Sequence, residues 1–256
     1  MNLLATKPGA TQPDRMYIIA AHLDGRGGGG AADDDASGCG LVLAAARAFA
    51  PARVCLAVVL RFIFWDAEET GLEGSGAYVA ARRELQGREE PAGSGRYPEP
   101  RWLGIIQHDM LLYDHGVPAG PTQRAAADLN VEFRAGTAVE VASRALAEAL
   151  AAGNRRYVGQ PAYPVKVDDH SMNTDDTSFH PYAAAVSVRE NRRGNEIAGI
   201  HPYYHTAQDL AEHYAEADWH LGFAAVRTTV GTVAELANTR IDATPTTGTP
   251  KPAKAP

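Results

Sequence analysis

The segment Trp65-Asp66-Ala67-Glu68-Glu69-Thr70-Gly71 sets two adjacent carboxylates at the end of a long apolar run, residues 54–64. Ionised carboxylates taken out of water cost several kcal/mol unless cations answer them. Downstream no Lys or Arg stands before Arg82, so a metal ion is the economical counter-charge. Five candidate ligands emerge: His22, Asp34, Glu69, Asp109 and His205. Two imidazoles and three carboxylates suit Zn²⁺, Mn²⁺ or Co²⁺ better than Ca²⁺, which prefers oxygen alone. They exceed the three protein ligands of an ordinary one-zinc catalytic site. With one carboxylate bridging, they fit two ions roughly 3.5–4 Å apart. Glu68 is left over beside a ligand, where a carboxylate is a natural general base. Asp24 follows His22 and Asp209 follows His205, each near enough in sequence to orient the imidazole's second nitrogen.

Each of these residues has a blander reading. A lone His at a strand end is usually structural or solvated. Asp33-Asp34-Asp35 alone is a solvated loop or a helix cap, and Glu68-Glu69 alone is a helix N-terminus favoured by the dipole. Residues 27–30 are all Gly, but no Gly-Lys-Ser/Thr follows to make a phosphate loop. His108, His170, His180, His201, His213 and His220 read as surface or core residues rather than ligands. What argues against chance is joint position, which depends on the elements around the candidates.

The apolar run 16–21 predicts a strand ending at His22. Residues 36–50, small and apolar, predict a helix that Asp35 or Ser37 would cap. Residues 54–65, β-branched and aromatic, read as one buried strand. A helix over 74–85 and a Pro/Gly/charge loop over 89–100 follow. Residues 102–107 predict a strand ending at His108-Asp109. Further strands are expected at 129–133 and 183–188. Further helices are expected at 137–152, with Thr137 and Glu140 as a capping box, and at 215–238. Strands alternating with helices predict an α/β sandwich with a largely parallel sheet. Sites in such sheets form beyond the carboxyl ends of strands, and His22, Glu68/Glu69 and Asp109 all stand there.

The chain is 256 residues long, 45% hydrophobic and 21% charged, which fits one globular catalytic domain over 1–238. From 239 to 256 the Pro/Thr/Lys composition predicts a disordered tail. The net charge of −7 and the lack of a Lys/Arg cluster argue against a nucleic-acid partner and suit a site that collects cations. No apolar run has the length of a membrane span, and residues 1–14 lack the pattern of a signal peptide. Cys39 and Cys55 form no CxxC pair and read as two small buried residues. The alternative reading is a disulfide between them, and the compartment turns on which of the two holds.

The segments AHLDG (21–25), AADDDASG (31–38), WDAEETGLEGS (65–75), QHDM (107–110) and YYHTAQD (203–209) occur in this order. As a set they resemble zinc exopeptidase family twenty-eight of the metallopeptidases, which includes bacterial leucyl aminopeptidase and many secreted members. The resemblance runs over almost the whole chain up to the tail. It implies a three-layer α/β sandwich around a mostly parallel mixed sheet, the phosphorylase/hydrolase-like fold. It implies that Asp34 bridges two zinc ions, that His22 and Asp109 complete one site, and that Glu69 and His205 complete the other. Glu68 would be the general base and Asp24 would support His22. The implied substrates are peptides with a free N-terminus.

Three departures stand out. Family domains usually begin with a helix and strand ahead of the segment matching residues 2–5. Their lack here predicts an uncovered sheet face or edge, and hence either self-association or markedly lower stability than a chain extended upstream. Asp176 stands where the family often has the histidine of Ser-Asp-His. His170-Ser171 stands where some members place an oxyanion-stabilising tyrosine. The rival chemistries are those of a carboxypeptidase, for which Arg189, Arg192 or Arg193 would bind the terminal carboxylate, and of a glutaminyl cyclase. Cyclases keep one zinc and alter the aspartate-rich segment, whereas 33–38 is of the aminopeptidase type. A non-enzymatic descendant would be expected to lose ligands.

Overall fold

A computed structural model describes residues 1–113, 128–159, 163–190 and 201–242. Its centre is a seven-stranded mixed sheet built from β1 (Leu3–Lys7), β2 (Gln12–His22), β4 (Val58–Trp65), β5 (Arg101–His108), β6 (Leu129–Glu132), β7 (Val165–Asp168) and β8 (Ala185–Arg189). The order is β1-β4-β2-β5-β8-β6-β7. Four neighbouring pairs are parallel, and β1 on β4 and β6 on β8 are antiparallel.

The central strands are apolar on both faces because both faces are covered. On one face Ile19, Ala21, Leu60, Phe62 and Ile106 pack under three helices: α1 (Ala36–Phe49), α3 (Glu140–Tyr157) and α4 (Glu216–Leu236). α1 contributes Leu41, Val42, Ala45 and Phe49, one helical stripe. α3 comes so close to β5 that a Cβ on Gly104 would lie 2.9 Å from Leu146 Cδ2. On the other face Ile18, Ala20, Ile63 and Trp65 pack against Tyr78 and Val79 of α2 (Glu73–Arg82) and against Phe179. The result is a three-layer sandwich with a core on each side of the sheet.

Several expected boundaries change. Residues 54–65 form not one strand but two, β3 (Val54–Cys55) and β4, because the break is made by backbone pairing elsewhere. Ala10 N–H donates to the Leu56 carbonyl, and Ala57 N–H to that of Ala237. Thr137 does not cap α3: its hydroxyl donates to the Arg134 carbonyl, the Glu140 carboxylate accepts from Gly136 N–H, and the helix starts at Glu140. Asp35 does cap α1, accepting the N–H of Gly38 at 3.0 Å. Residues 240–241, expected in the tail, form β9 (Arg240–Ile241) against β3; 243–256 lie outside the described residues. Cys39 and Cys55 are free and only half-buried. Among the described residues no helix is long and apolar enough to cross a membrane.

Candidate metal centre

β4, β2 and β5 are neighbours and parallel, so their carboxyl ends open on one edge of the sheet. His22 is the last residue of β2, Glu68 and Glu69 lie in the turn after β4, and Asp109 follows β5 directly. Two loops complete the group, one carrying Asp34 and the other His205.

Donor atoms of His22, Asp34 and Asp109 all lie within 4.8 Å of one another, and so do those of Asp34, Glu69 and His205. Asp34 belongs to both triads: one oxygen is 3.1 Å from His22 Nε2 and the other 3.2 Å from His205 Nε2. Glu69 Oε2 is 3.0 Å from the same His205 nitrogen. His205 has a left-handed backbone, φ +56°, of the kind that persists only where surroundings enforce it. Glu68 faces a cavity of about 340 Å³, together with Arg26, Leu72, Asn173 and Tyr204 and with the donors Asp34, Glu69 and His205.

The three consecutive aspartates have three different jobs. Asp33, fully buried, accepts N–H groups from Leu111 and Leu112 at 2.8 and 2.9 Å. Asp34 sits between the triads. Asp35 ties two strand ends together, accepting from His22 N–H at 3.1 Å and Met110 N–H at 3.3 Å.

Of the two supporting residues, Asp24 does meet His22 and Asp209 does not meet His205. The Asp24 backbone carbonyl lies 2.9 Å from His22 Nδ1 and its Oδ1 3.7 Å from the same nitrogen, while the carboxylate also accepts the N–H groups of Glu68 and Glu69 at 3.0 and 3.1 Å. A carbonyl only accepts, so Nδ1 carries a proton, and Nε2 is the nitrogen turned toward Asp34. Asp209 does not orient His205. Its carboxylate accepts from Asp33 N–H (2.9 Å), Asp34 N–H (3.1 Å) and the Tyr214 hydroxyl (2.7 Å). Closeness to His205 in sequence does not bring its side chain to that imidazole.

His201, read as an ordinary surface or core histidine, is buried beside the centre, with Nε2 2.8 Å from Asp33 Oδ2 and 3.8 Å from Glu190 Oε1. The available signal was its spacing four residues before His205. His108 lies in the core between the Ala20 carbonyl and Thr229, and burial pushes its pKa down to about 4. Asp176, in the place of a family histidine, is buried and paired with His180 at 2.9 Å and Ser171 at 2.6 Å. Arg189 is buried near Asp109 (3.7 Å) and Glu132 (3.9 Å) and bonded to Ser187, away from the cavity lining. Arg192 and Arg193 lie outside the described residues.

Buried acids crowded together create a strong field. Burial alone would lower the pKa of His22, but Asp35, Asp24, Asp34 and Asp109 outweigh it and raise it well above the ordinary value. Glu69 is raised by its own burial and by Asp34. Among the described residues, His22 Nε2 and Glu69 Oε1 are buried atoms without a hydrogen-bond partner. Unpaired buried donors of this kind are costly, and mixed N/O donors in a negative field fit a divalent cation such as zinc.

Fold and donor set define a class, that of three-layer α/β proteins with clustered His and carboxylate donors at the carboxyl ends of parallel strands. The chain belongs to Peptidase family M28, whose pattern matches residues 2–229. It is 40% identical over 113 residues to leupeptin-inactivating enzyme 1 of Streptomyces exfoliatus, a match covering 44% of this chain and 25% of that protein. The structure of BSAP, a zinc aminopeptidase from Bacillus subtilis, superposes with a TM-score of 0.65 at 20% identity, covering 92% of this chain and 50% of that one. A glutaminyl cyclase from Porphyromonas gingivalis gives 0.63 at 17% identity, covering 92% and 77%. The chain thus spans a quarter of the first relative and half of the second.

Proposed function

We propose that the chain is a co-catalytic two-zinc aminopeptidase that removes N-terminal residues from peptides, with Glu68 as general base. The observation that carries this is the sharing of Asp34 between two His–carboxylate triads, with Glu68 opening on the same cavity. His22 and Asp109 would hold one ion, Glu69 and His205 the other, and Asp34 both. When bound, zinc supplies Lewis-acid polarisation of the scissile carbonyl and eases deprotonation of water near neutral pH.

The chain's own residues do the rest. Asp24 fixes the backbone of Glu68 and Glu69 through two N–H groups, so the two carboxylates keep separate directions. Glu68 takes the proton of the attacking water and returns it to the leaving amine. The substrate's α-ammonium is drawn to the acidic floor of the cavity, and Leu72 and Tyr204 offer apolar walls.

The test combines metal stoichiometry with hydrolysis of leucyl, arginyl and glutamyl anilides and of N-blocked and C-blocked dipeptides. Two zinc ions per chain are expected, with activity on free N-termini that chelator abolishes and Zn²⁺ restores. Full activity in metal-free protein, or cleavage of N-blocked peptides, would overturn the proposal. The second reading is a glutaminyl cyclase, favoured by the likeness of fold to the cyclase structure. N-terminal glutamine cyclised to pyroglutamate, in place of hydrolysis, would establish it.

A further inference from the structure

The cavity lined by carboxylates also admits a cation. Among the described residues Arg26 is the only Lys or Arg that lines it. Arg26 stands in the glycine-rich loop 25–30, which resembles a phosphate loop in composition and nothing more. The loop is seated on the segment that carries His205. A Cβ on Gly27 (φ +83°) would lie 2.6 Å from the His205 carbonyl carbon, and one on Gly29 would lie 2.9 Å from the Ala207 oxygen. Ala32 N–H donates to the Asp209 carbonyl just beyond. Glycines are needed there because two backbones touch, and Arg26 is the one long side chain the loop sends out. Its Nη1 is 4.0 Å from Glu69 Oε2, too far for a hydrogen bond. Among the described residues its guanidinium makes no hydrogen bond, and 58% of the side chain is exposed.

Resting on the aminopeptidase reading, we infer that Arg26 receives a carboxylate of the substrate, so that the site favours peptides negatively charged just beyond the scissile bond. A planar guanidinium with unused N–H groups takes a carboxylate by two parallel hydrogen bonds. Reach selects the position. An extended chain advances about 3.3–3.6 Å per residue, so a dipeptide's terminal carboxylate lies about 7 Å from its α-ammonium. The guanidinium is 4.0 Å from a carboxylate on the cavity floor, and a bound carboxylate on its far side falls within that span. The charge has two sources, the free C-terminus of a dipeptide or an acidic side chain after the scissile bond.

The experiment measures kcat/KM of the zinc-loaded chain for two substrate pairs. Leu-Gly against Leu-Gly-NH2 reports the terminal carboxylate, and Leu-Glu-NH2 against Leu-Gln-NH2 reports the side chain. At least one pair should favour its carboxylate member by about tenfold, the worth of a partly exposed charge-assisted bond. The preference should lie in KM, shrink in 0.5 M salt, fall to about one in Arg26→Gln and be partly kept in Arg26→Lys. Ratios near one in both pairs for the unmutated chain, or a ratio that survives in Arg26→Gln, would overturn the inference even if every peptide is cleaved. Should Arg26→Gln not fold, the unmutated ratio and its salt dependence decide. Failure to cleave any unblocked peptide would overturn the aminopeptidase reading and this inference with it.

Discussion

Replacing Asp209 by Asn tests the account of how the centre is held. The carboxylate is buried and accepts three hydrogen bonds: Oδ1 from Asp33 N–H and the Tyr214 hydroxyl, Oδ2 from Asp34 N–H. In Asp209→Asn the remaining oxygen can serve Asp33 and Tyr214, but the new NH2 faces Asp34 N–H, donor against donor. Two bonds lose their charge assistance, about 1 kcal/mol each, and one buried donor is left unmade at about 1–3 kcal/mol. The expected loss is therefore about 3–5 kcal/mol, or roughly 10 °C in Tm for a chain of this size. Tyr214→Phe removes one of the three bonds and should cost about 1.5–3 kcal/mol. Because Asp34 loses its anchor, zinc affinity should also fall about 10–100-fold. Urea unfolding gives the first quantity, and competition with a chromophoric chelator gives the second. A loss under about 1 kcal/mol with unchanged zinc affinity would show that Asp209 does not anchor Asp34. So would a weakening of His205 alone that leaves Asp34 in place.

Glu68→Ala should lower kcat by about 10²–10⁴-fold, the usual worth of a general base, with bound zinc nearly unchanged, whereas Glu69→Ala should lose metal; elemental analysis beside the kinetics would expose a reversed assignment. Gly27→Ala should displace His205 and weaken zinc binding, because its Cβ meets backbone at 2.6 Å, while Gly28→Ala, with φ +74° and nothing within 4 Å, should cost only about 1 kcal/mol. If both variants bind zinc alike, the loop is not seated as described. His108 gives a pH dependence: its folded pKa of about 4 lies below the unfolded 6.5. The unfolded chain therefore binds the extra proton between these values. Stability from this group is fully present above pH 6.5 and is lost as pH falls toward 4, by up to about 3 kcal/mol. Unfolding followed across pH 4–7 should show this slope reduced in His108→Gln, and equal slopes would count against a neutral buried imidazole.

Elements with a strong one-dimensional pattern were legible in the sequence. β2, β4 and β5 are apolar on both faces, and α1 carries a clear small-residue stripe. Where these strands end, candidate donors could be placed without knowing the sheet order. β1 and β7 were missed because they are short strands at the sheet's two margins, with exposed or half-buried residues in place of an apolar run. The β3/β4 break was invisible because Leu56 and Ala57 are as apolar as their neighbours; only pairing with residues 10–12 and 237 makes it. Side-chain partnerships across the fold were the least legible. Asp209 was assigned to His205 by nearness along the chain, yet its oxygens reach residues 175 and 176 positions away. No apolar run leads up to His201 in the sequence to mark it, and only the fold sets it against Asp33.

The bonds from Asp209 to Asp33 and Asp34, and from His201 to Asp33, span 168 to 176 residues of chain. Contacts of such separation form late, because the loop entropy must be met before they return anything. The sheet strands β4, β2 and β5 can assemble first from the N-terminal half alone, bringing His22, Glu69 and Asp109 to one edge. Asp34 then acquires its final aim only when the segment 201–209 docks. Ligand-binding power is thus a late product of folding, and a nascent chain whose last third has not emerged would carry a sheet but no finished centre. Hydrogen exchange should sense the same asymmetry in reverse: the amides of Asp33 and Asp34 should open with segment 201–209 before β2 and β5 do.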